Sequence, residues 1–552
     1  MYQLDGLREP SFKVPVGLSS AWVNRILMSL ASFARDRILG AIVVTLLTGC
    51  ASVAPEIPRT PSHALDEPQQ TSLASSFAAQ LALSPGQSGV HLLVSGQDAF
   101  ATRSALAESA QRTLDLQYYI VEQDATGTQL VYRALRAAQR GVRVRLLIDD
   151  MNTGLSDSDL AILALHPNVE VRLFNPFSNR GVSSLSRLLE LLGSGERLNH
   201  RMHNKLWIAD NAAAVMGGRN LGDSYFDATS KAAFADLDVL VVGKVVREIS
   251  ASFDHFWNSE WAIPIEAFVS TPVPTEERDK AMAGMAVRAE AFRRGDYAQS
   301  LRTTELGHQV RTGTLHLIPA NATALSNAPD DPLTEQAAKK KGDIFPALRK
   351  IVEGAEREVI MVSPYFVPSD QGVEVLCALA RRGVRVSVLT NSLASTDVPV
   401  VHAGYARYRP RLLACGVVLY ELRPATDQAE RADKGLSSGS SLHAKAIVVD
   451  RQAVLMGSMN LDPRSKRLNT EVALMVESAE FGQELGKVFD EATAPGQVFR
   501  VGLDEPGNPE SALHWESLEA GYPIRYTTEP LASAWRRFFT PIIGALTPED
   551  LL

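Results

Sequence analysis

Cysteine is scarce in this chain: its 552 residues include three, Cys50, Cys377 and Cys415. They stand apart from one another and outside CxxC spacing, which argues against a disulfide framework or a zinc knuckle. A bilayer-spanning run is also missing near the N-terminus. The apolar stretch at 38–47, ILGAIVVTLL, has ten residues, where a helix needs about 20 to cross the hydrocarbon core. Nor is there a basic surplus: 55 Lys plus Arg face 63 Asp plus Glu, a net charge of −8. Such a balance excludes a protein that coats nucleic acid by bulk electrostatics. Long charge blocks are absent, and 45% of the residues are apolar against 21% charged. That is a globular composition with material for a sizeable core, neither disordered nor fibrous.

What is present begins with the short apolar stretch. Arg35 and Arg37 precede it, and Leu47-Thr48-Gly49-Cys50 follows. A small residue before a cysteine at the end of such a run resembles a bacterial lipobox. The resemblance implies that Cys50 becomes the lipidated first residue of a mature, membrane-anchored envelope protein, with Met28 an alternative start. Several acyl chains on one cysteine anchor stably, whereas one chain is marginal. The Pro-, Ser- and Thr-rich segment after Cys50 lacks apolar periodicity and reads as a tether.

One unit occurs twice. From Arg112 the chain reads RTLDLQYYIVEQDATGTQLVYRALRAAQRGVRVRLLIDD, and from Arg357 REVIMVSPYFVPSDQGVEVLCALARRGVRVSVLTNS. Each copy is an apolar strand, an aromatic pair, a turn, a helix with period near 3.6, and a Gly-Val-Arg-Val entry into a second strand. This duplicated βαβ pattern predicts a mostly parallel sheet covered by helices. The repeat continues in HNKLWIADNAAAVMGGRN from His203 and HAKAIVVDRQAVLMGSMN from His443. Five positions keep an offset of 240 residues: His203 and His443, Lys205 and Lys445, Asp210 and Asp450, Gly217 and Gly457, Asn220 and Asn460.

Residues two apart on a strand share a face, so His203 and Lys205 project together, as do His443 and Lys445. An unpartnered lysine facing a core costs several kcal/mol, and an anionic ligand resolves that cost. Paired histidines, lysines and asparagines suit a phosphodiester. The histidines serve as nucleophile and general acid; Lys205, Lys445, Asn220, Asn460 and Ser458 stabilise charge on the phosphoryl oxygens. Each histidine also needs an acceptor for its second ring nitrogen. Asp236 and Glu471, both at the start of apolar strands, are the candidates, with Asp238 a competitor to Asp236. Asp210 and Asp450 belong to the catalytic motif, yet sit at strand ends before turns and are expected to organise their lobes.

The repeated HxKxxxxD followed by Gly-Gly or Gly-Ser and Asn resembles the signature of the phospholipase D superfamily. That resemblance implies an α/β protein of two tandem lobes, each a mixed, mostly parallel sheet flanked by helices, related by a pseudo-twofold axis and sharing one site. It also implies a covalent phosphatidyl-histidine intermediate, with no metal and no cofactor. Both copies are complete, so the sequence leaves their order open; family precedent makes His203 the nucleophile and His443 the general acid.

The segments QYYI from Gln117, RMHNK from Arg201, FADLDV, SPYFVPS from Ser363, SLHAKAIV, NLDPRS from Asn460 and the EPLASAWRRF tail are similar to the type-C bacterial cardiolipin synthases. The implied reaction is transphosphatidylation between phosphatidylglycerol and a second glycerophospholipid, such as phosphatidylethanolamine, at a membrane and without nucleic acid. Hydrolysis to phosphatidic acid, and non-catalytic lipid binding by a lipoprotein, stay open as alternatives. A dry approach favours transfer, and Tyr118, Tyr119, Tyr365, Phe366, Tyr405 and Tyr408 are candidates to line it, at least half of them better suited to the core.

The expected organisation is a signal segment and lipobox at 1–50, a tether at 51–85, lobes at 86–271 and 342–500, a connecting insertion at 272–341 and a tail at 501–552. The tail carries Trp535, Arg536, Arg537, Phe538 and Phe539, read as a helix packed on the core with a membrane-facing surface as the alternative.

Overall fold

The computed structural model describes residues 59–151, 153–177, 195–229, 234–269, 273–330, 344–424 and 441–549. Met28, the 38–47 stretch, Cys50 and residues 331–341 of the expected insertion lie outside them.

In the first half the strands are β1 (Ser88–Leu93), β2 (Thr113–Tyr118), β3 (Arg143–Asp149), β4 (Val169–Phe174), β5 (Arg201–Met202) and β6 (Leu206–Ala209). They are followed by β7 (Ala213–Gly217), β8 (Phe234–Ala235), β9 (Asp238–Val242), β10 (Ala262–Pro264) and β11 (Ile318–Ser326). The second half adds β12 (Glu358–Val362), β13 (Arg385–Asn391), β14 (Val418–Leu422), β15 (Ser441–Leu442), β16 (Ala446–Val449) and β17 (Ala453–Gly457). Last come β18 (Asn469–Thr470), β19 (Val472–Glu477), β20 (Val498–Leu503), β21 (Leu513–Glu519) and β22 (Tyr522–Tyr526).

The duplicated βαβ unit is visible in β2–β3 and β12–β13. Helix Ala125–Gln139 is capped by Asp124, whose side chain accepts from the Gly127 N–H. Gly141 and Gly383, at φ 94° and 86°, turn the chain out of the helix and into the next strand in the two copies; only glycine adopts that conformation without a Cβ penalty.

Hydrogen-bonded neighbours in the first lobe run β10-β4-β3-β2-β6-β7-β9-β1. In the second they run β19-β17-β16-β12-β13-β14-β20-β21-β22. Within these sheets parallel pairing is confined to β2·β3·β4 and β12·β13·β14. The α/β class and the two lobes are as the sequence predicts, but the sheets are mixed with antiparallel pairs in the majority. The reason is local: after each crossover the chain returns through tight hairpins, β6–β7 and β16–β17, which force antiparallel neighbours.

Several boundaries move. Strand β11, inside the expected insertion, pairs with β1 through Ile318–Ala320 and with β19 through Asn321–Ser326, joining the two sheets. Helix Ser72–Ala82, inside the expected tether, buries Leu73 and Phe77. Strands β21 and β22 of the tail extend the second sheet. Between the lobes lies one apolar layer, with Met202, Ile208, Met216 and Val239 from the first half and Val448, Met456 and Leu474 from the second. The interface is therefore a core, not a hinge.

The cysteine reading is also corrected. Cys377, on helix Ser369–Arg381, is bonded to Cys415, which ends helix Arg409–Ala414. Their separation of 38 residues hid the pairing; two packed helices bring them together.

Candidate active site

Two short parallel strand pairs cross the lobe interface. β5 pairs with β18, and β8 pairs with β15. Each ladder carries a motif histidine on one strand's continuation and a carboxylate on the other's. Beyond β5 and β18 the His203 N–H donates to the Thr470 carbonyl at 2.9 Å. Beyond β15 and β8 the His443 N–H donates to the Ala235 carbonyl at 2.8 Å. The outcome is crosswise. His203 Nδ1 lies 2.9 Å from Glu471 Oε2 and 3.1 Å from Oε1. His443 Nδ1 lies 2.6 Å from Asp236 Oδ2. Each histidine is thus oriented by the opposite lobe, which leaves Nε2 for chemistry; the two remain 7% and 6% exposed.

The carboxylates are themselves held. Glu471 accepts from Ser458 Oγ at 2.5 Å, Ser465 Oγ at 2.8 Å and Asn469 Nδ2 at 3.4 Å. Asp236 accepts from the Leu237 N–H at 2.8 Å. A Cβ on Gly218, the residue that corresponds to Ser458, would lie 2.1 Å from Asp236 Oδ1, so the Gly-Gly of the first copy makes room for the carboxylate that the second copy binds with serine.

Lys205 and Lys445 are buried beside the histidines. Lys205 Nζ donates to the His203 carbonyl at 2.5 Å, and Lys445 Nζ to the His443 carbonyl. Burial pushes Lys205 down to about 7, with Lys445 adding repulsion and Glu471 opposing both. Lys445 is pushed down to about 8 by burial, against the attraction of Asp236 and Glu471. Burial likewise holds His203 at about 4 and His443 below its ordinary value. Glu471 and Asp236 stay below the usual carboxylate range, because each faces a histidine and a lysine that outweigh the cost of burial.

The remaining candidates divide. Asp210 and Asp450 lie at the far ends of β6 and β16, roughly 20 Å from the histidines by strand rise. Asp210 accepts from the N–H groups of Gln111, Arg112 and Thr113, and Asp450 from those of Glu356, Arg357 and Glu358. Both have positive φ, 53° and 54°, so they clamp a hairpin turn to the start of β2 or β12.

Ser458 spends its hydroxyl on Glu471, as above, so it positions a carboxylate instead of facing a phosphate. Asn220 accepts from the Ile120 N–H at 3.1 Å and donates to Tyr225 Oη at 2.9 Å; its amide is a strut. Asn460 keeps its side-chain oxygen buried and unpartnered. Asp238 is taken by Arg103 at 2.9 Å, which resolves the competition in favour of Asp236.

Of the aromatics, Tyr118, Phe366, Tyr405 and Tyr408 are core. Tyr119 stands edge-on to His203, with centroids 5.0 Å apart. Tyr225 and Phe234 flank His443 at 5.4 and 5.1 Å. Those two, and Ser465, escape a reading of the motifs alone. Ser465 lies within NLDPRS, where its N–H donates to the Asp462 side chain that caps the short helix Pro463–Arg467, and Phe234 opens the FADLDV segment; Tyr225 has no periodic or motif signal.

The chain matches the family described as "Cardiolipin synthase, PLD-like domain" over residues 104–257 and 348–493, once in each lobe. It belongs to this family of phospholipase D-like phosphatidyltransferases. The chain is 39% identical over 484 residues to cardiolipin synthase C of Escherichia coli K12, covering 87% of this chain and 99% of that one. A cardiolipin synthase of Oceanobacillus iheyensis is 25% identical over 73% of this chain and 68% of its own length. The solved phosphatidylserine synthase of Haemophilus influenzae Rd KW20 superposes with a TM-score of 0.52 at 13% identity, covering 87% of this chain and all of that one; that likeness concerns the fold alone. The family relationship makes the protein a phospholipid transferase.

Proposed function

We propose that this protein is a membrane-associated transphosphatidylase that makes cardiolipin from phosphatidylglycerol and a second glycerophospholipid. The observation that carries the reading is the pair of crosswise contacts, His203 to Glu471 and His443 to Asp236, which fixes both Nδ1 atoms and leaves two imidazoles to act on one phosphodiester.

In the first step His203 Nε2 attacks phosphorus and the bond to the head-group alcohol breaks, while His443 Nε2 gives its proton to the departing oxygen. In the second, His443 takes the proton of a phosphatidylglycerol hydroxyl. That oxygen bonds to phosphorus, the P–N bond breaks, and His203 leaves neutral. Lys205 and Lys445 neutralise charge on the phosphoryl oxygens.

An asymmetry supports this order. Glu471 shares its charge among Ser458, Ser465 and Asn469, so less of it favours an imidazolium at His203, consistent with a neutral nucleophile. Asp236 makes the shorter contact, 2.6 Å, and opposes the burial and the Lys445 charge that lower His443.

Cys50 would anchor the protein in the cell envelope. The Cys377–Cys415 bond suits that oxidising compartment.

The test is the lipid product profile, with phosphatidylglycerol supplied with and without phosphatidylethanolamine. Cardiolipin supports the proposal. Phosphatidic acid alone would replace it with hydrolysis, and no product from folded protein would leave a lipid-binding lipoprotein. A chelator is expected to leave the rate unchanged.

A further inference from the structure

The C-terminal helix Ala534–Leu546 has two contrasting faces. Thr540 and Gly544 are its buried residues. Gly544 lies so close to helix Pro399–Ala406 that a Cβ there would come 2.4 Å from the Ala403 Cβ. On the opposite face Trp535, Phe538, Ile542 and Leu546, spaced at three or four residues, are 70%, 63%, 44% and 79% exposed. At 100° per residue they form one apolar stripe. The helix contains no Asp or Glu; Arg537 is exposed, while Arg536 lies one turn before the buried Thr540, in a chain whose net charge is −8.

The helix is tied to the active site. Arg536 Nη1 donates to the carbonyls of Leu393 at 2.9 Å and Thr396 at 3.1 Å. The same loop carries Asp397, which accepts from Tyr365 Oη at 2.7 Å, and whose charge acts on Lys445. The apolar stripe therefore belongs to an element that fixes one wall of the catalytic centre.

We infer that this face seats the protein on a phospholipid bilayer, with the stripe in the headgroup–acyl boundary and the exposed Arg537 beside anionic headgroups, so that the catalytic centre meets its substrate at the surface. The inference rests on the reading that the substrate is a bilayer phospholipid. Two properties select a bilayer over a second copy of the chain. A helix of 13 residues is about 20 Å long and about 10 Å wide, far short of the roughly 800 Å² per partner of a stable protein interface. The combination of an exposed tryptophan, an apolar stripe and an exposed arginine on a helix without acids matches an interfacial helix. Among the described residues no helix is long and apolar enough to cross a membrane, so this helix would lie on the surface.

The experiment uses full-length protein with vesicles of phosphatidylglycerol and dibrominated phosphatidylcholine. Bromine is expected to quench a tryptophan signal that Trp535→Phe removes. In parallel, the double variant Phe538→Glu with Ile542→Glu is expected to lose at least tenfold in turnover of vesicle phosphatidylglycerol, while keeping its turnover of a short-chain phosphatidylglycerol below its micelle threshold. Quenching that Trp535→Phe leaves intact, or equal vesicle turnover in the double variant, overturns the inference. So does a wild-type dimer that the double variant converts to monomer, which would make the stripe a protein interface. If neither substrate is turned over by the wild type, the proposed function fails while the quenching result still decides the docking; the same measurement serves if the double variant does not fold.

Discussion

Glu471 orients His203 although the two lie in different lobes, 268 positions apart in the chain, with Nδ1 and Oε2 separated by 2.9 Å. Its counterpart, Asp236 on His443, crosses the interface in the other direction. Neither lobe holds a complete histidine–carboxylate pair by itself, so both pairs depend on the apolar layer between the lobes.

Glu471→Gln and Asp236→Asn keep shape while replacing an acceptor with an amide that can present a donor to Nδ1. Each is expected to lower kcat by about 10²–10⁴-fold, the range for general acid–base chemistry and for loss of an orienting carboxylate, with a melting temperature close to that of the wild type. A kcat within a few-fold of wild type in either variant would remove that carboxylate from the mechanism.

His203→Ala and His443→Ala are each expected to abolish turnover of natural lipids. A phosphodiester with a p-nitrophenolate leaving group needs no protonation, so it should restore product release in His443→Ala and not in His203→Ala. Rescue in the opposite variant would exchange the two roles. Rescue in both would end the assignment of a histidine nucleophile.

The lysines set the alkaline limit. Lys205, at about 7, and Lys445, at about 8, must hold their protons to attract an anionic phosphodiester. Because these values are depressed, the ammonium forms are lost as pH rises through 7 to 8, and kcat/KM falls with them. On the acid side His203, at about 4, keeps its nucleophilic lone pair until the pH approaches that value. Lys205→Arg retains its charge throughout and should remove the lower alkaline step; an unaltered profile would assign that step to another group.

Gly218→Ala places a methyl 2.1 Å from Asp236 Oδ1. It is expected to push the carboxylate off His443 and lower kcat at least tenfold, with little change in KM if the phosphate contacts persist. An active enzyme with normal kcat would show that the site tolerates displacement of Asp236.

Reducing Cys377–Cys415, or replacing both residues by serine, removes a crosslink closed over 38 residues. Chain-entropy reasoning assigns such a loop about 4 kcal/mol of stability. Denaturant unfolding of the serine pair should show a clear loss, with short-chain lipid turnover retained under native conditions; equal unfolding midpoints would mean that the bond contributes nothing.

The sequence by itself determined the duplication, the strand–helix–strand units and the HxK residues, because each depends on spacing within a short segment. Lys205 and Lys445 announced a buried anion site by charge in an apolar strand, and Gly141 and Gly383 marked the turn that ends each crossover helix. Only the tertiary structure decided the partners. Whether Asp236 or Glu471 serves His203 depends on β5·β18 and β8·β15, ladders of two residues that no periodicity reveals. The same holds for Ser458, whose hydroxyl turned to Glu471, for Asp238, which Arg103 occupies, and for Cys377 with Cys415. Local pattern fixes what each segment becomes, since neighbours in sequence share backbone geometry and hydrophobic face. Contacts between segments far apart are chosen by packing of the whole, and in this protein the interface between the two halves does that choosing.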